Sequence, residues 1–223
     1  MGSGARSPDS LREEHSCILG RFHPTKTMAE PLTIPELSSR PPVSYEEIRS
    51  SLRTGDMVFC SGTYFFSKLI RRFTRSVWSH VGMIYRDDYL DRIFILESET
   101  MIGVRIAPLS KYLRDYHGRR KPYRGRMFVA ELEPGAAPEA LKKAVSFGMD
   151  QLTKPYDNWE ILRIAVRIAF GIGRKSRDRK YICSELVYEA FHKAGIEFPY
   201  NNRSISPDDL WKDPRVKVRF RIH

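Results

Sequence analysis

The order of its strand-type and helical segments constrains this chain most. Five short segments with strand composition, separated by turn residues, end at residue 132; they cover 57–60, 80–85, 92–97, 104–106 and 127–132. Helical periodicity is found among them at 64–73 and after them at 138–151, 159–170 and 183–194. Strands gathered in the middle, with most helices behind them, predict an α+β fold in which an antiparallel sheet packs against helices.

A change of composition near residue 42 predicts two parts. Residues 1–42 are rich in Ser, Pro, Gly and charge and lack apolar periodicity, which is typical of a disordered leader. The apolar pattern begins at Val43, and Ser44 followed by Glu47 is typical of the start of a capped helix. We therefore expect one domain over residues 43–223, a length that can bury a full core.

Three cysteines, Cys17, Cys60 and Cys183, stand at wide and irregular spacing. An odd set without a Cys-x-x-Cys pair argues against a disulfide framework and a zinc site, so we expect reduced thiols and neither a metal nor an organic cofactor. The first 20 residues lack the apolar run of a signal peptide, and the most apolar later stretch, 161–172, is interrupted by Arg163 and Arg167. These features predict a cytoplasmic protein, and a peripheral position at a membrane surface stays open.

The formal net charge of +11 is unevenly distributed. Basic and acidic residues balance over residues 1–40, so the excess lies behind them, with dense basic runs at 114–126 and 174–180. Between those runs, 159–170 has an amphipathic helical pattern that suits an anionic membrane surface or a phosphate-bearing lipid, although a core helix with solvated arginines is the commoner case. Nucleic acid is an unlikely partner, because aromatic residues are not interleaved with the basic runs.

Cys183 stands where a helix begins. Leu186, Val187, Ala190 and Phe191 recur at helical spacing behind it, and a loop rich in Gly, Arg and Lys precedes it. The positive end of the helix dipole favours a thiolate at this position, and free N–H groups there can bind an oxyanion. The position suits a nucleophile, but a small buried hydrophobic cysteine fits the same pattern.

His80 opens one predicted strand, and Glu97 ends the next. A strand holds an imidazole rigidly, as a general base requires, whereas a hydrogen-bonded structural histidine is the alternative. Strand alternation places Glu97 on the same face as Ile93 and Ile95, where a carboxylate needs a partner, and pairing with His80 would set the tautomer of the ring. If Glu97 instead meets solvent at the strand end, Glu99 is the next candidate.

Seven motifs occur in one order: Thr-Gly-Asp-Met-Val-Phe from 54, Ser-His-Val-Gly-Met from 79, Leu-Glu-Ser from 96, Gly-Val-Arg-Ile-Ala-Pro-Leu from 103, Lys-Pro-Tyr-Asp from 154, Tyr-Ile-Cys-Ser-Glu-Leu-Val from 181 and Ser-Pro-Asp-Asp-Leu from 206. Together they resemble the circularly permuted papain-like cysteine hydrolases of the NlpC superfamily, the YiiX-like group, which is related to lecithin:retinol acyltransferase-like enzymes. The resemblance spans about residues 52–214 and implies a circularly permuted papain-like fold.

The resemblance also implies roles for individual residues. By their positions in the motifs, Cys183 is the nucleophile, His80 the base and Glu97 the group that orients the base. Tyr156 and Ser184 are the candidates for contacting the substrate or the oxyanion, although a tyrosine that follows a proline could equally serve packing.

The chemistry that this set implies is acyl transfer through an acyl-enzyme on Cys183, with water or another molecule as the acceptor. A thiolate attacks amides, esters and thioesters alike, so two substrate classes compete. Small amide-linked peptides are substrates of many NlpC-type relatives, and lipid-acyl substrates are implied by the lecithin:retinol acyltransferase branch. The alternative of a different class is a non-catalytic basic module that binds anionic lipid or nucleic acid. The oligomeric state stays unknown from the sequence.

Overall fold

The computed structural model describes residue 1 and residues 34–154, 182–198 and 205–223. Six strands in this part form one antiparallel sheet: β1 (Met57–Gly62), β2 (His80–Asp87), β3 (Arg92–Glu99), β4 (Gly103–Pro108), β5 (Gly125–Leu132) and β6 (Val216–Arg221). Their spatial order is β4-β3-β2-β1-β5-β6, so β1 and β2 occupy the middle of the sheet.

The helices of the described part lie before, between and after the strands. They are α1 (Ile34–Ser39), α2 (Tyr45–Ile48), α3 (Phe65–Thr74), α4 (Leu109–Arg114), α5 (Pro138–Met149), α6 (Cys183–Lys193) and α7 (Pro207–Trp211). The predicted cap of α2 is confirmed, because the Ser44 hydroxyl accepts from the Glu47 N–H at 3.4 Å. Two short 3₁₀ turns, Arg49–Ser51 and Tyr116–Gly118, also connect elements.

Apolar residues cover both faces of the sheet, because alternate residues of each strand point to opposite sides. On one face, Met83 of β2 and Phe128 of β5 belong to a buried cluster with Phe191 of α6. On the other face, Ile84 of β2 lies in a second buried cluster with Leu109 of α4. Burial of each such side chain contributes about 1.5–3 kcal/mol. The predicted α+β architecture, a sheet packed against helices, is confirmed.

Some elements differ from the prediction. The strand β6 and the short helices α4 and α7 have no counterpart among the predicted segments, and the predicted helix at 159–170 lies outside the described residues. Helix α1 falls within the segment 1–42 that the composition assigns to a leader, and its Leu37 is buried against the core. Residues 2–33 lie outside the described part.

Candidate active site

Cys183 is the first residue of α6, and its side chain is half-buried. Ile182, just before it, is extended, and the Glu185 carboxylate accepts from its N–H at 3.4 Å, which caps the start of the helix. The backbone N–H groups of Val81 and Ser184 donate to the sulfur. The thiol therefore faces the start of β2 and is surrounded by donors that favour its negative form.

His80 is the first residue of β2 and lies opposite Cys60 of β1. Its neighbour Ser79 holds the strand start in place, because the Ser79 hydroxyl donates to the Cys60 carbonyl at 3.1 Å and accepts from the Gly62 N–H at 3.0 Å. The imidazole of His80 is hydrogen-bonded to the Cys183 thiol. Since the His80 side chain keeps 16% of its surface exposed, a substrate can reach the ring.

Glu97 is fully buried on β3, and its carboxylate binds three side chains. Its Oε2 lies 2.6 Å from His80 Nε2, and its Oε1 lies 2.8 Å from Nε of Arg105, the residue opposite it on β4. The hydroxyl of Tyr112, on α4, also donates to Oε2. We call His80, Glu97, Arg105 and Tyr112 the Glu97 cluster. Because Nε2 of His80 is bound to Glu97, the hydrogen bond to the thiol is left to Nδ1.

A glycine allows the strand that carries Glu97 to approach β2. Gly82 lies two residues after His80 on the same face, and a Cβ at this position would lie 2.5 Å from Cγ2 of Ile95 and 3.2 Å from Cβ of Glu97. Real Cβ contacts are not as short as the first of these distances, so any larger residue would displace β3. Gly82 is therefore part of what sets the distance between His80 and Glu97.

The electrostatics of the site favour a thiolate–imidazolium pair. Burial acts against the charged ring, but the Cys183 thiolate and the Glu97 carboxylate outweigh it and raise the pKa of His80 to about 10. Burial also acts against the thiolate, yet the charge and hydrogen bond of His80 lower the pKa of Cys183 below its usual value. For Glu97, the bonds from His80, Arg105 and Tyr112 overcome burial and lower the pKa to about 2. Near neutral pH the His80 ring and the Glu97 carboxylate are therefore in their charged forms, and the Cys183 thiol is shifted towards the thiolate.

Three of the residues predicted from sequence come together in space, namely Cys183, His80 and Glu97. The hydroxyl of Ser184 does not join them, because it is buried and donates to the Ile205 carbonyl at 2.7 Å. The backbone N–H of Ser184 does face the thiol. Tyr156 lies outside the described residues.

The sequence analysis missed two members of the Glu97 cluster, Arg105 and Tyr112. Arg105 carries a signal that could have found it, since it is a charge in the middle of a short apolar strand next to Glu97. Tyr112 carries no such signal, because α4 has only six residues and shows too little periodicity to be recognised.

A cavity of about 280 Å³ opens beside His80. Apolar atoms make up most of its exposed wall, and the aromatic and apolar side chains come from α3 and the residue before it, the β3–β4 turn and the segment after α4: Tyr64, Phe66, Ile70, Met101, Tyr116 and Tyr123. Seven of the thirteen lining residues are polar or charged, and two of these pair with each other, with His117 Nε2 3.8 Å from Glu99 Oε1. The cavity is near the lower end of ligand-pocket volumes, roughly 300–1,000 Å³, and suits one apolar group placed against the imidazole.

Two further properties concern the described residues alone. Within residues 34–154, 182–198 and 205–223, no group of three or more His, Cys, Asp or Glu side chains is placed to hold a metal ion. Over the same ranges, no helix combines the length and the apolar character needed to cross a bilayer.

Comparison with known proteins identifies a family and related proteins. The family model described as permuted papain-like amidase enzyme, YaeF/YiiX, C92 family matches residues 51–218. Protein YiiX of Escherichia coli strain K12 is 28% identical over 172 residues, which cover 76% of this chain and 71% of that protein. A crystal structure of the metalloprotein YiiX from Escherichia coli O157:H7 aligns with a TM-score of 0.46 and 22% identity, over 75% of this chain and 96% of that one. Because the family model covers most of the chain, the protein belongs to the permuted papain-like amidase family of YaeF and YiiX.

Proposed function

We propose that this protein is a cysteine amidase that forms an acyl-enzyme on Cys183, with His80 as the acid and base. The observation that carries the proposal is the hydrogen bond between the Cys183 thiol and the His80 ring, with Glu97 on the opposite ring nitrogen. A nucleophile, a base in contact with it and a third group that orients the base are the parts that covalent acyl transfer requires.

Acylation begins with the thiolate. Sγ of Cys183 attacks the carbonyl carbon of the substrate, and the carbonyl oxygen takes up the negative charge beside the N-terminal N–H groups of α6. As the C–N bond breaks, Nδ1–H of His80 gives its proton to the leaving nitrogen, so that an amine departs and a thioester remains on Cys183.

Deacylation reverses the roles. The now neutral His80 takes a proton from water, and the resulting hydroxide adds to the thioester carbonyl. The C–S bond then breaks, a carboxylic acid is released, and the thiolate–imidazolium pair is restored. Ester and thioester substrates pass through the same acyl-enzyme, so the catalytic residues alone do not select the leaving group.

Glu97 acts through His80 and not on the substrate. Its carboxylate holds Nε2 at 2.6 Å, which fixes the ring plane and stabilises the imidazolium. Arg105 and Tyr112 in turn hold the carboxylate, so both are positioning residues in this proposal. The apolar cavity beside the ring favours a substrate that carries an apolar group next to the scissile bond.

The test is alkylation of each cysteine by iodoacetamide as a function of pH, followed by peptide mapping. In the native protein we expect Cys183 to react rapidly below pH 7, because its thiolate is stabilised, whereas an ordinary thiol titrates near pH 8.5. Cys60 is the internal control, since burial raises its pKa far above the usual range and shields it. In the His80→Ala variant, the Cys183 profile should move to that of an ordinary thiol.

The same protein unfolded in urea supplies the reference profile for each cysteine. A native Cys183 that reacts no faster below pH 7 than it does in urea would contradict the nucleophile–base pair. That outcome would instead favour a non-catalytic binding module. If Cys183 reacts as expected, mass spectrometry after incubation with p-nitrophenyl acetate should show one acetyl group on the Cys183 peptide.

A further inference from the structure

Four of the exposed apolar residues in the described part of the chain lie at the entrance of the cavity. Phe65 and Phe66 stand side by side at the start of α3, and Met101 and Ile102 form the β3–β4 turn. All four are exposed, with Phe65 at 74%, and two of them, Phe66 and Met101, also line the cavity. Exposed apolar residues that cluster around a cavity mark an interaction surface, whereas single ones need no explanation.

Basic side chains flank this entrance on the α3 side and on the side of the segment after α4. Six exposed ones make no ion pair with a carboxylate of the described residues: Lys68, Arg72, Arg119, Arg120, Lys121 and Arg124. The two stretches that carry them are close together, because the Thr63 N–H donates to the Arg124 carbonyl at 2.8 Å. Residues 61–86 and 116–130 contain no Asp or Glu, and Glu99 in the cavity wall is already paired with His117.

We propose that this face of the protein binds an anionic lipid bilayer. We call the four apolar residues and the six basic residues together the mouth surface. The apolar tips would enter the headgroup region while the lysines and arginines contact the acidic headgroups, and the two contributions add. Charge complementarity favours a membrane over an apolar protein partner, because basic side chains flank the apolar tips on two sides.

This docking deepens the proposed function and, in its consequence for the substrate, rests on it. With the mouth surface on a bilayer, the cavity beside His80 opens towards the lipid. An apolar group could then pass from the bilayer into the cavity without crossing water, which would bring its carbonyl to Cys183. The substrate class that follows is a lipid or lipid-linked acyl compound rather than a free water-soluble peptide.

Flotation of the full-length protein with vesicles tests the docking. We expect the wild type to float with vesicles of phosphatidylcholine and phosphatidylserine at low salt, to float poorly with phosphatidylcholine alone, and to dissociate as salt screens the charges. Replacing Phe65 and Ile102 with Ser should reduce binding at least about tenfold through the lost apolar contact. The matched control replaces Tyr89 and Leu90 with Ser. These two residues are exposed in the β2–β3 hairpin turn at the far end of these strands, so this variant should bind vesicles like the wild type.

A second pair of variants tests the charges. The double substitution Lys68→Gln and Lys121→Gln should weaken binding to the anionic vesicles roughly 25-fold, about fivefold for each charge removed. The control pair Lys142→Gln and Lys143→Gln, on the exposed side of α5, should have no such effect. None of the substituted residues belongs to the Glu97 cluster or to the cavity wall. In each variant, p-nitrophenyl acetate should therefore acylate Cys183 at the wild-type rate.

Several outcomes would overturn the proposal. The proposal is wrong if the wild-type protein stays in the bottom fraction with anionic vesicles at low salt. It is also wrong if the mouth-surface variants and their controls lose vesicle binding equally. A dimer in sedimentation velocity that disappears in the Phe65 and Ile102 variant, without vesicle binding, would assign the surface to a second copy of the chain. Cys183→Ala separates the two proposals, because that variant should lose acylation and still float.

Discussion

Two buried carboxylates lie on different strands of the sheet, Glu97 on β3 and Asp56 just before β1, and they behave in opposite ways. Glu97 is bound by His80, Arg105 and Tyr112 next to the thiol. Asp56, just before β1, accepts from Arg219 at 3.0 Å and from the Arg53 N–H at 2.9 Å, and we call Asp56, Arg219 and Glu131 the Asp56 cluster. Both carboxylates are almost wholly buried, so burial alone does not distinguish them.

The partners distinguish them. Glu97 has a guanidinium, a ring and a hydroxyl to itself, and together these lower its pKa to about 2 despite burial. Arg219 is shared, since its Nε also lies 3.5 Å from Glu131, and burial then prevails and raises the pKa of Asp56 to about 6. A buried carboxylate–arginine pair is therefore no sign of an active site in itself. The sign in this protein is the ring that links the Glu97 carboxylate to a thiol.

Removing the His80 imidazole should have the largest effect, because it removes the link between the Glu97 carboxylate and the thiol. In His80→Ala, acylation of Cys183 by p-nitrophenyl acetate should fall about 10²–10⁴-fold, because the thiol loses the base that takes its proton and the thiolate loses its counter-ion. The measurement is the initial rate, with circular dichroism to show that the fold persists. Retention of the wild-type rate in a folded variant would remove His80 from the mechanism.

The next largest difference is expected between matched isosteric substitutions in the Glu97 cluster and the Asp56 cluster, measured by the acylation rate. Glu97→Gln should lower the acylation rate about 10²-fold, since an amide carries no negative charge to stabilise the imidazolium. Asp56→Asn removes a buried charge that does not act on the thiol and should leave the rate unchanged. Equal losses in the two variants would mean that a general loss of stability, and not the contact with His80, explains the effect of Glu97.

Acid should act on the two carboxylates with opposite sign. The pKa of Glu97 is lowered from 4.5 to about 2, so the stability it contributes is present above about pH 4.5 and is lost as the pH falls towards 2. The pKa of Asp56 is raised from 3.8 to about 6, so the stability it contributes is present below about pH 4 and is lost as the pH rises through 6.

Urea unfolding from about pH 5 to about pH 3 measures both effects, each of which should change the free energy of unfolding by about 2 kcal/mol over that interval. In Glu97→Gln, the decline of stability with falling pH should be shallower than in the wild type. In Asp56→Asn, the decline should be steeper. The same slope in all three proteins would show that the two carboxylates do not differ in the folded state.

The smallest expected effect belongs to Tyr112→Phe, which removes one of the three bonds to Glu97. The acylation rate should fall by a factor of about ten, equivalent to about 1.5 kcal/mol, the lower end of the range for one hydrogen bond to a charged group. If Tyr112 positions Glu97, the substitution should also change the pH dependence of the rate. The alkaline limb of the pH–rate profile, which follows His80 near pH 10, should move to lower pH as Glu97 is held less firmly. A lower rate with an unmoved limb would assign Tyr112 to packing alone.

Much of the fold could be read from local patterns. All five predicted strands are confirmed, and so are the helices at 64–73, 138–151 and 183–194 to within a few residues at their ends. Strand β6 was within reach, because Val216–Arg221 alternates apolar and basic residues, the pattern of a half-buried edge strand. Helix α4 was not, since six residues give fewer than two turns of periodicity.

The candidate site divides in the same way. Cys183 and His80 could be found because a helix start and a strand start are local features, and Glu97 because alternation assigns it a face. Arg105 needed the register of β3 against β4, which puts it opposite Glu97. The cavity needed α3, the β3–β4 turn and the segment after α4 to come together, and the sequence places these far apart.

By itself, the sequence determined the family, the α+β architecture and the candidate residues for acyl chemistry, because each depends on residue order and local periodicity. Only the tertiary structure decided which carboxylate is linked to a thiol, which guanidinium holds it, and where the apolar entrance lies. Those are relations between segments distant along the chain. Packing and strand register bring them within hydrogen-bonding distance, and no local pattern encodes that distance.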